Sequence, residues 1–176
     1  MEVFDAAELW SRERIAKTQL TRLRATLSQA RKCAFYRERL DEAGVTPDSI
    51  RSLDDLQRIP FTSKQDLRSQ YPTGLLCVPP SEIVRMHCSS GTTGTPVAIC
   101  HTQNDINSWA DLMARCMHMV GVRRDDVFQN MSGYGLFTGG PVINMHAERT
   151  GCMTTNPKPD QTRHENKLSK KIGKKR

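Results

Sequence analysis

The chain has 176 residues, 37% of them apolar, which suffices for one sizeable core or for a helical region beside one compact layer. Its formal charge of +7 is concentrated at one end: residues 154–176 hold eight Lys and Arg against two acids, +6 of that +7, so the first 153 residues carry only +1. That balance argues against a basic nucleic-acid-binding face on the body, and no apolar run reaches the ~18 residues of a membrane span. The opening MEVFDAAELW is acidic and lacks an apolar signal core, and six scattered cysteines form no C-x-x-C pair, so reduced thiols in a cytoplasmic protein are expected.

In chain order, Ala16, Leu20, Leu23, Leu27, Ala30 and Ala34 recur at steps of three and four, which sets an apolar stripe along a long helix. Residues 35–40 continue or follow that helix as far as Gly44. Thr46-Pro47-Asp48 has the cap, first-turn proline and acid of a new helical turn, and Ser52-Leu53-Asp54-Asp55 and Thr62-Ser63-Lys64-Gln65 repeat the capping pattern. Residues 1–80 therefore read as a helical region.

Past Pro79-Pro80 the pattern changes. Residues 83–87 and 97–100 are strand candidates joined by a Ser/Gly/Thr loop. Asn104 is placed to cap a helix with apolar positions Ile106, Trp109, Ala110, Met113, Cys116, Met117 and Val120, which Gly121 closes. Residues 127–131 read as a third strand that runs into the glycine-rich turn 133–140, and a short helix is expected from Val142 to Arg149. This half, residues 81–153, is α/β. After Gly151 apolar residues are sparse, so 154–163 should form no buried strand, and 154–176 should be a disordered or weakly helical basic tail.

The loop His87-Cys88-Ser89-Ser90-Gly91-Thr92-Thr93-Gly94-Thr95-Pro96 carries the most chemistry. A phosphate must be met by donors. Gly91 and Gly94 present backbone N–H groups with no Cβ in the way, and the hydroxyls of Ser89, Ser90, Thr92, Thr93 and Thr95 add more. The loop lies between strands and has no lysine, so it is not the strand-to-helix P-loop. A plain hairpin turn is the competing reading. His87-Cys88 and Cys100-His101 flank the loop, but adjacent strand residues point to opposite faces, so a four-ligand zinc site is not expected and no metal ligand is assigned. Trp109, Met113 and Met117 read as helix core rather than as a cofactor site.

The order of SSGTTGTP between apolar strands, together with FYRERLDEAGVTPDSIRSLDDLQRIPFTSKQDLRSQYPTGLL (35–76) and GYGLFTGG (133–140), resembles the N-terminal pattern of the phenylacetate-CoA ligase family of adenylate-forming enzymes, over roughly residues 8–153. The resemblance implies an α/β fold: an N-terminal helical region followed by the first part of an adenylate-forming large domain, here truncated. It also implies a ligase that uses ATP with Mg²⁺ to convert an arylacetic acid to an acyl-adenylate and then, with coenzyme A, to the thioester. By carry-over, Ser89, Ser90, Gly91, Thr92, Thr93 and Gly94 would hold the β- and γ-phosphates. Thr95 stands in the same nucleotide loop, where family loops often have lysine, so a charged contact from that position is missing. Tyr134, Gly135, Phe137, Gly139 and Gly140 match a segment near the acyl pocket, with Tyr134 and Phe137 as walls for a flat aryl group. Ordinary core packing of Phe137 is the alternative.

The family's adenine-contacting segment, ribose-holding acid and C-terminal catalytic lysine have no counterpart in these residues, so no catalytic residue is assigned. Two further readings stay open at this point: a catalytically incomplete fragment or half of a split ligase, and a basic-tailed nucleic-acid binder. The expected partners are the small-molecule acid, ATP and CoA, with a second copy of the chain or a complementing C-terminal polypeptide, and no membrane.

Overall fold

In the computed structural model the described residues are 3–89, 96–130 and 147–155. The long stripe at the N-terminus forms helix α1, Arg12–Ala30, which Ser11 opens by accepting the Arg14 N–H at 3.2 Å. The chain breaks after Ala30, with the Lys32 and Cys33 amides turned back onto Gln29 and Ala30, and resumes as α2, Ala34–Glu42. Ala34, the last position of the expected stripe, therefore belongs to the second helix and is exposed. Gly44 ends α2 in the left-handed region, φ 63°, where a side chain would be strained.

Leu27, Leu40, Val45 and Ile50 form the core of this part, with Leu20, Leu23 and Ile59 packed against it. Val45 and Ile50 are wholly buried. Long side chains tie the surrounding turns to the helices: Arg24 Nε donates to the Ile50 carbonyl at 2.8 Å, and Arg39 donates to the Phe61 carbonyl at 2.8 Å while pairing with Asp66 at 3.2 Å. Each short turn is closed by its own cap. Thr46 and Ser49 bond reciprocally around the 3₁₀ turn Pro47–Ser49. Asp55 takes the Arg51 and Ser52 amides at 2.8 and 3.0 Å. Ser63 caps α3, Lys64–Ser69, and its amide is held in turn by Asp66 at 2.7 Å.

Strands β1, Ile83–Cys88, and β2, Ala98–Thr102, form an antiparallel hairpin, with Val84 as an irregularity in the ladder. This completes one compact unit, residues 1–103.

The second unit, residues 104–176, takes in all but the first residue of α4, Gln103–Met119. The helix starts two residues earlier than a cap at Asn104 would place it, so Asn104 lies inside the first turn instead of capping it, because β2 runs straight into the helix. Its buried residues are Ile106, Ala110 and Ala114, whereas Cys116 and Val120 are exposed, so the buried stripe keeps strict four-residue spacing. Gly121, φ 96°, closes the helix, with its amide on the His118 carbonyl and that of Val122 on Met117.

β3, Val127–Gln129, pairs in parallel with β4, Met153–Thr155. The second of these strands places Thr154 and Thr155 in a sheet where a disordered or weakly helical tail was expected from 154, although the strand is only partly buried. Two threonines lack the apolar signature of a strand, but β-branched side chains fit a pleated surface, and pairing with distant β3 satisfies their backbone groups. Residues 147–150 are helical, which agrees with the end of the expected short helix. The remainder of that helix, the turn 133–140 and the tail 156–176 lie outside the described residues. No helix among the described residues is long and apolar enough to cross a membrane.

Candidate functional site

The hairpin stem fixes where the Ser/Gly/Thr loop begins and ends. Five register pairs run from Ile83↔Thr102 to Cys88↔Ala98. One further step closes the neck: the Ser89 amide donates to the Val97 carbonyl at 2.9 Å, and the Val97 amide donates to Ser89 Oγ, also at 2.9 Å. A hydroxyl thus takes the place a second backbone carbonyl would have in a regular ladder. Val97 is buried at this closure and Ser89 is exposed.

Of the seven loop residues singled out from the sequence, Ser89 is described, and it stands at the base of the loop. Its oxygen accepts from Val97, which leaves its own proton for a second bond. Ser90, Gly91, Thr92, Thr93, Gly94 and Thr95 lie outside the described residues.

The register sorts the side chains that flank the loop. Arg85 faces His101 and His87 faces Ile99, which puts the two histidines diagonally on one face with Arg85. Met86 faces Cys100 and Cys88 faces Ala98, which puts the two cysteines on the other face. The imidazole centroids are 5.0 Å apart with a 60° tilt. Burial, reinforced by His101 and Arg85, holds the His87 imidazole below its usual pKa, so the neutral ring is favoured. Burial and the nearby Cys88 push the Cys100 thiol up. Two imidazoles and two thiols split between opposite faces cannot surround one tetrahedral ion. Among the described residues no group of three or more His, Cys, Asp or Glu is placed to hold a metal ion.

The second sequence-predicted cluster begins where β3 ends. Asn130 follows the strand, is buried, and donates its amide to the Thr155 carbonyl at 3.0 Å, which extends the parallel ladder by one step. Tyr134, Gly135, Phe137, Gly139 and Gly140 come just beyond it and lie outside the described residues. Asn130 was not singled out from the sequence. A buried amide at the carboxyl end of a parallel strand stands where open α/β sheets place ligand-facing groups. Its only sequence signal was the change from an apolar strand to a polar residue ahead of glycines.

No family model matches the chain. Among curated proteins it is 46% identical over 151 residues to the phenylacetate-coenzyme A ligase of Pseudomonas putida, an alignment that covers 85% of this chain and 34% of that protein. It is 41% identical over 165 residues to the phenylacetate-coenzyme A ligase of Escherichia coli K12, covering 93% of this chain and 38% of the relative. Among solved structures, a 2-hydroxyisobutyryl-CoA ligase in complex with 2-HIB-AMP and CoA in the thioesterification state superposes with a TM-score of 0.73 at 33% identity, over 88% of this chain and 32% of that one. The chain therefore spans about a third of the length of the relatives it matches, and its α/β architecture is that of the corresponding part of an adenylate-forming enzyme.

Proposed function

We propose that this chain is the N-terminal portion of a phenylacetate-CoA ligase and supplies that enzyme's triphosphate loop and one side of its acyl pocket. The reaction joins an arylacetic acid to coenzyme A at the expense of ATP. A carboxylate oxygen attacks the α-phosphorus and pyrophosphate leaves; the CoA thiol then attacks the acyl carbon and AMP leaves. In the first step negative charge builds on the departing pyrophosphate, so what the site must supply is a set of donors fixed in place beforehand.

The observation that carries this reading is the closed neck. Two 2.9 Å bonds between Ser89 and Val97 draw the ends of the glycine-and-hydroxyl loop together, in a chain whose relatives are CoA ligases. A loop drawn shut at its base loses less conformational entropy on gripping a phosphate than an open one. Its donor set suits an anion: backbone N–H groups around Gly91 and Gly94, the hydroxyls of Ser90, Thr92, Thr93 and Thr95, and the remaining Ser89 proton. No carboxylate stands in the loop to repel the triphosphate. Mg²⁺ would arrive with ATP and offset the charge on its phosphate oxygens. Tyr134 and Phe137, with the close backbone of Gly135, Gly139 and Gly140, are proposed to take the aryl group.

Titration calorimetry with Mg-ATP tests the reading directly. Thr93→Ala and Gly91→Val are expected to weaken binding about tenfold, some 1.4 kcal/mol each, without changing the melting temperature of the helical region. Unchanged affinity in both variants would overturn the assignment of the loop. In this reading residues 1–176 alone bind nucleotide without completing the reaction, because the family's adenine-contacting segment and catalytic lysine have no counterpart in them. ATP–pyrophosphate exchange driven by phenylacetate at an ordinary turnover rate from these residues alone would contradict that.

A further inference from the structure

Cys33 and Cys77 lie 44 positions apart in sequence, yet the fold brings them to one turn. Cys33 occupies the break between α1 and α2 and is 3% exposed. Its thiol donates to the Gly74 carbonyl at 3.3 Å, while the Cys77 thiol reaches the next carbonyl, that of Leu75, at 3.5 Å. Gln29, on the last turn of α1, donates to the Cys77 carbonyl at 2.7 Å and holds the same segment from the other side. The two thiols thus bond to successive carbonyls of one turn. The turn itself has little room to swing away: the Gly74 amide returns to the Gln70 carbonyl at 2.8 Å, and a Cβ at Gly74 would come within 2.9 Å of that oxygen. Neither cysteine has a part in the proposed ligase chemistry.

We infer that Cys33 and Cys77 are a thiol pair that closes to a disulfide by exchange with a small-molecule disulfide, tying the end of α1 to the turn just ahead of β1. Cys77, the more accessible of the two, reacts first. It loses its proton to solvent, and its thiolate attacks one sulfur of the oxidant, expelling one thiolate and leaving a mixed disulfide on Cys77. Cys33 then loses its proton and attacks Cys77 Sγ, which expels the second thiolate. Two protein thiols are oxidised and one small disulfide is reduced to two thiols. Rotation of the two side chains off the Gly74 and Leu75 carbonyls is the movement that brings the sulfurs to the ~2.05 Å of the bond.

Burial and the neighbouring Cys33 thiol push the Cys77 pKa up, against a smaller opposing pull from Lys32. Exchange should therefore be slow at neutral pH and quicken with pH, about tenfold per unit while the thiol remains mostly protonated. The other pairing the topology offers, Cys88 with Cys100, is diagonal across the hairpin, which sets their Cβ atoms too far apart for a ready disulfide.

The test treats the full, folded chain with oxidised glutathione, counts thiols, and maps linked peptides by mass spectrometry without reduction. All six cysteines start as thiols. The expected result is a fall from six thiols to four, a single 33–77 linked peptide, no lasting glutathione adduct, and a higher melting temperature that a reductant reverses. Cys33→Ser should instead accumulate glutathione on Cys77 with no rise in melting temperature, and Cys77→Ser should leave Cys33 unmodified. A persistent adduct on wild-type Cys77, a link between other cysteines, or no loss of thiols at pH 9 would overturn the proposal. Should Cys33→Ser fail to fold, Cys33→Ala takes its place, and the wild-type peptide map decides the pairing without any variant.

Discussion

The helical region and the hairpin belong to the same compact unit but are built on opposite plans. Around α1 and α2, four apolar side chains are buried against one another, and the intervening turns are closed by caps and by arginines that reach backbone carbonyls. In the hairpin, His87 is the one buried strand residue, whereas Val84 and Ile99 are more than half exposed and Met86 is 38% exposed. The strands are held by their ladder and by the Ser89–Val97 neck more than by side-chain burial. The lesson is a division of labour. Side-chain burial is concentrated in the helical region, and the hairpin that leads into the Ser/Gly/Thr loop stays thin.

That contrast can be broken most forcefully at Ile50, which is wholly buried. Ile50→Ala should cost about 2–5 kcal/mol through lost burial and the cavity left behind, read as a lowered denaturant midpoint. The same change in the hairpin, at Ile99, should cost well under half as much. Equal losses at the two sites would refute the division.

A cap substitution is the next smaller effect. Ser63→Ala removes the acceptor of the Asp66 amide at the start of α3 and should cost about 1 kcal/mol. Ser89→Ala removes the acceptor of the Val97 amide and should cost about as much, but it should also weaken Mg-ATP binding, which Ser63→Ala should not. Calorimetric titration of the two variants side by side separates a residue that only holds the fold from one that holds the loop.

The smallest effect is expected from pH. In the folded chain the His87 pKa lies below its ordinary value of 6.5, so the unfolded chain binds the extra proton more readily. Stability from this group is therefore present above about pH 6.5 and declines as pH falls from there through the folded value. The carboxylates of Asp55 and Asp66 behave differently. Backbone amides at Ser52 and Arg51, and the amide and hydroxyl of Ser63, hold them below the ordinary 3.8, so their contribution persists to lower pH and is lost only in stronger acid. Melting curves from pH 7 to 5 should show a decline in the wild-type chain that His87→Gln flattens and Asp66→Asn leaves in place.

Local signals were legible where the physics is local. The α1 stripe, the caps at Thr46 and Ser52, the glycine stops at Gly44 and Gly121, and the pairing of β1 with β2 across a short loop each depend on residues a few positions apart, and the capping pattern read from Thr62 falls one residue later, at Ser63 with Asp66. Whether the helix breaks at 31–33 was left open by the sequence, because Arg31, Lys32 and Cys33 contain no proline or glycine that forbids a helix; in the fold Leu27 and Leu40, on either side of the break, belong to one buried cluster. Asn104 was misread for a related reason: its side chain suits a cap, but β2 enters the helix directly and leaves no residue outside it.

The sequence by itself determined which segment is proposed to bind phosphate, since small and hydroxylic residues suit a backbone that must approach an anion closely, and their order is written in the chain. It also determined the face that α1 buries, through spacing alone. Only the tertiary structure decided that Thr154 and Thr155 form a strand, that His87 and His101 share one face of the hairpin while Cys88 and Cys100 share the other, and that the Cys33 and Cys77 thiols bond to successive carbonyls of one turn. Each of these depends on register or on contacts between distant parts of the chain, and such contacts are fixed by the folded backbone rather than by the composition of either partner.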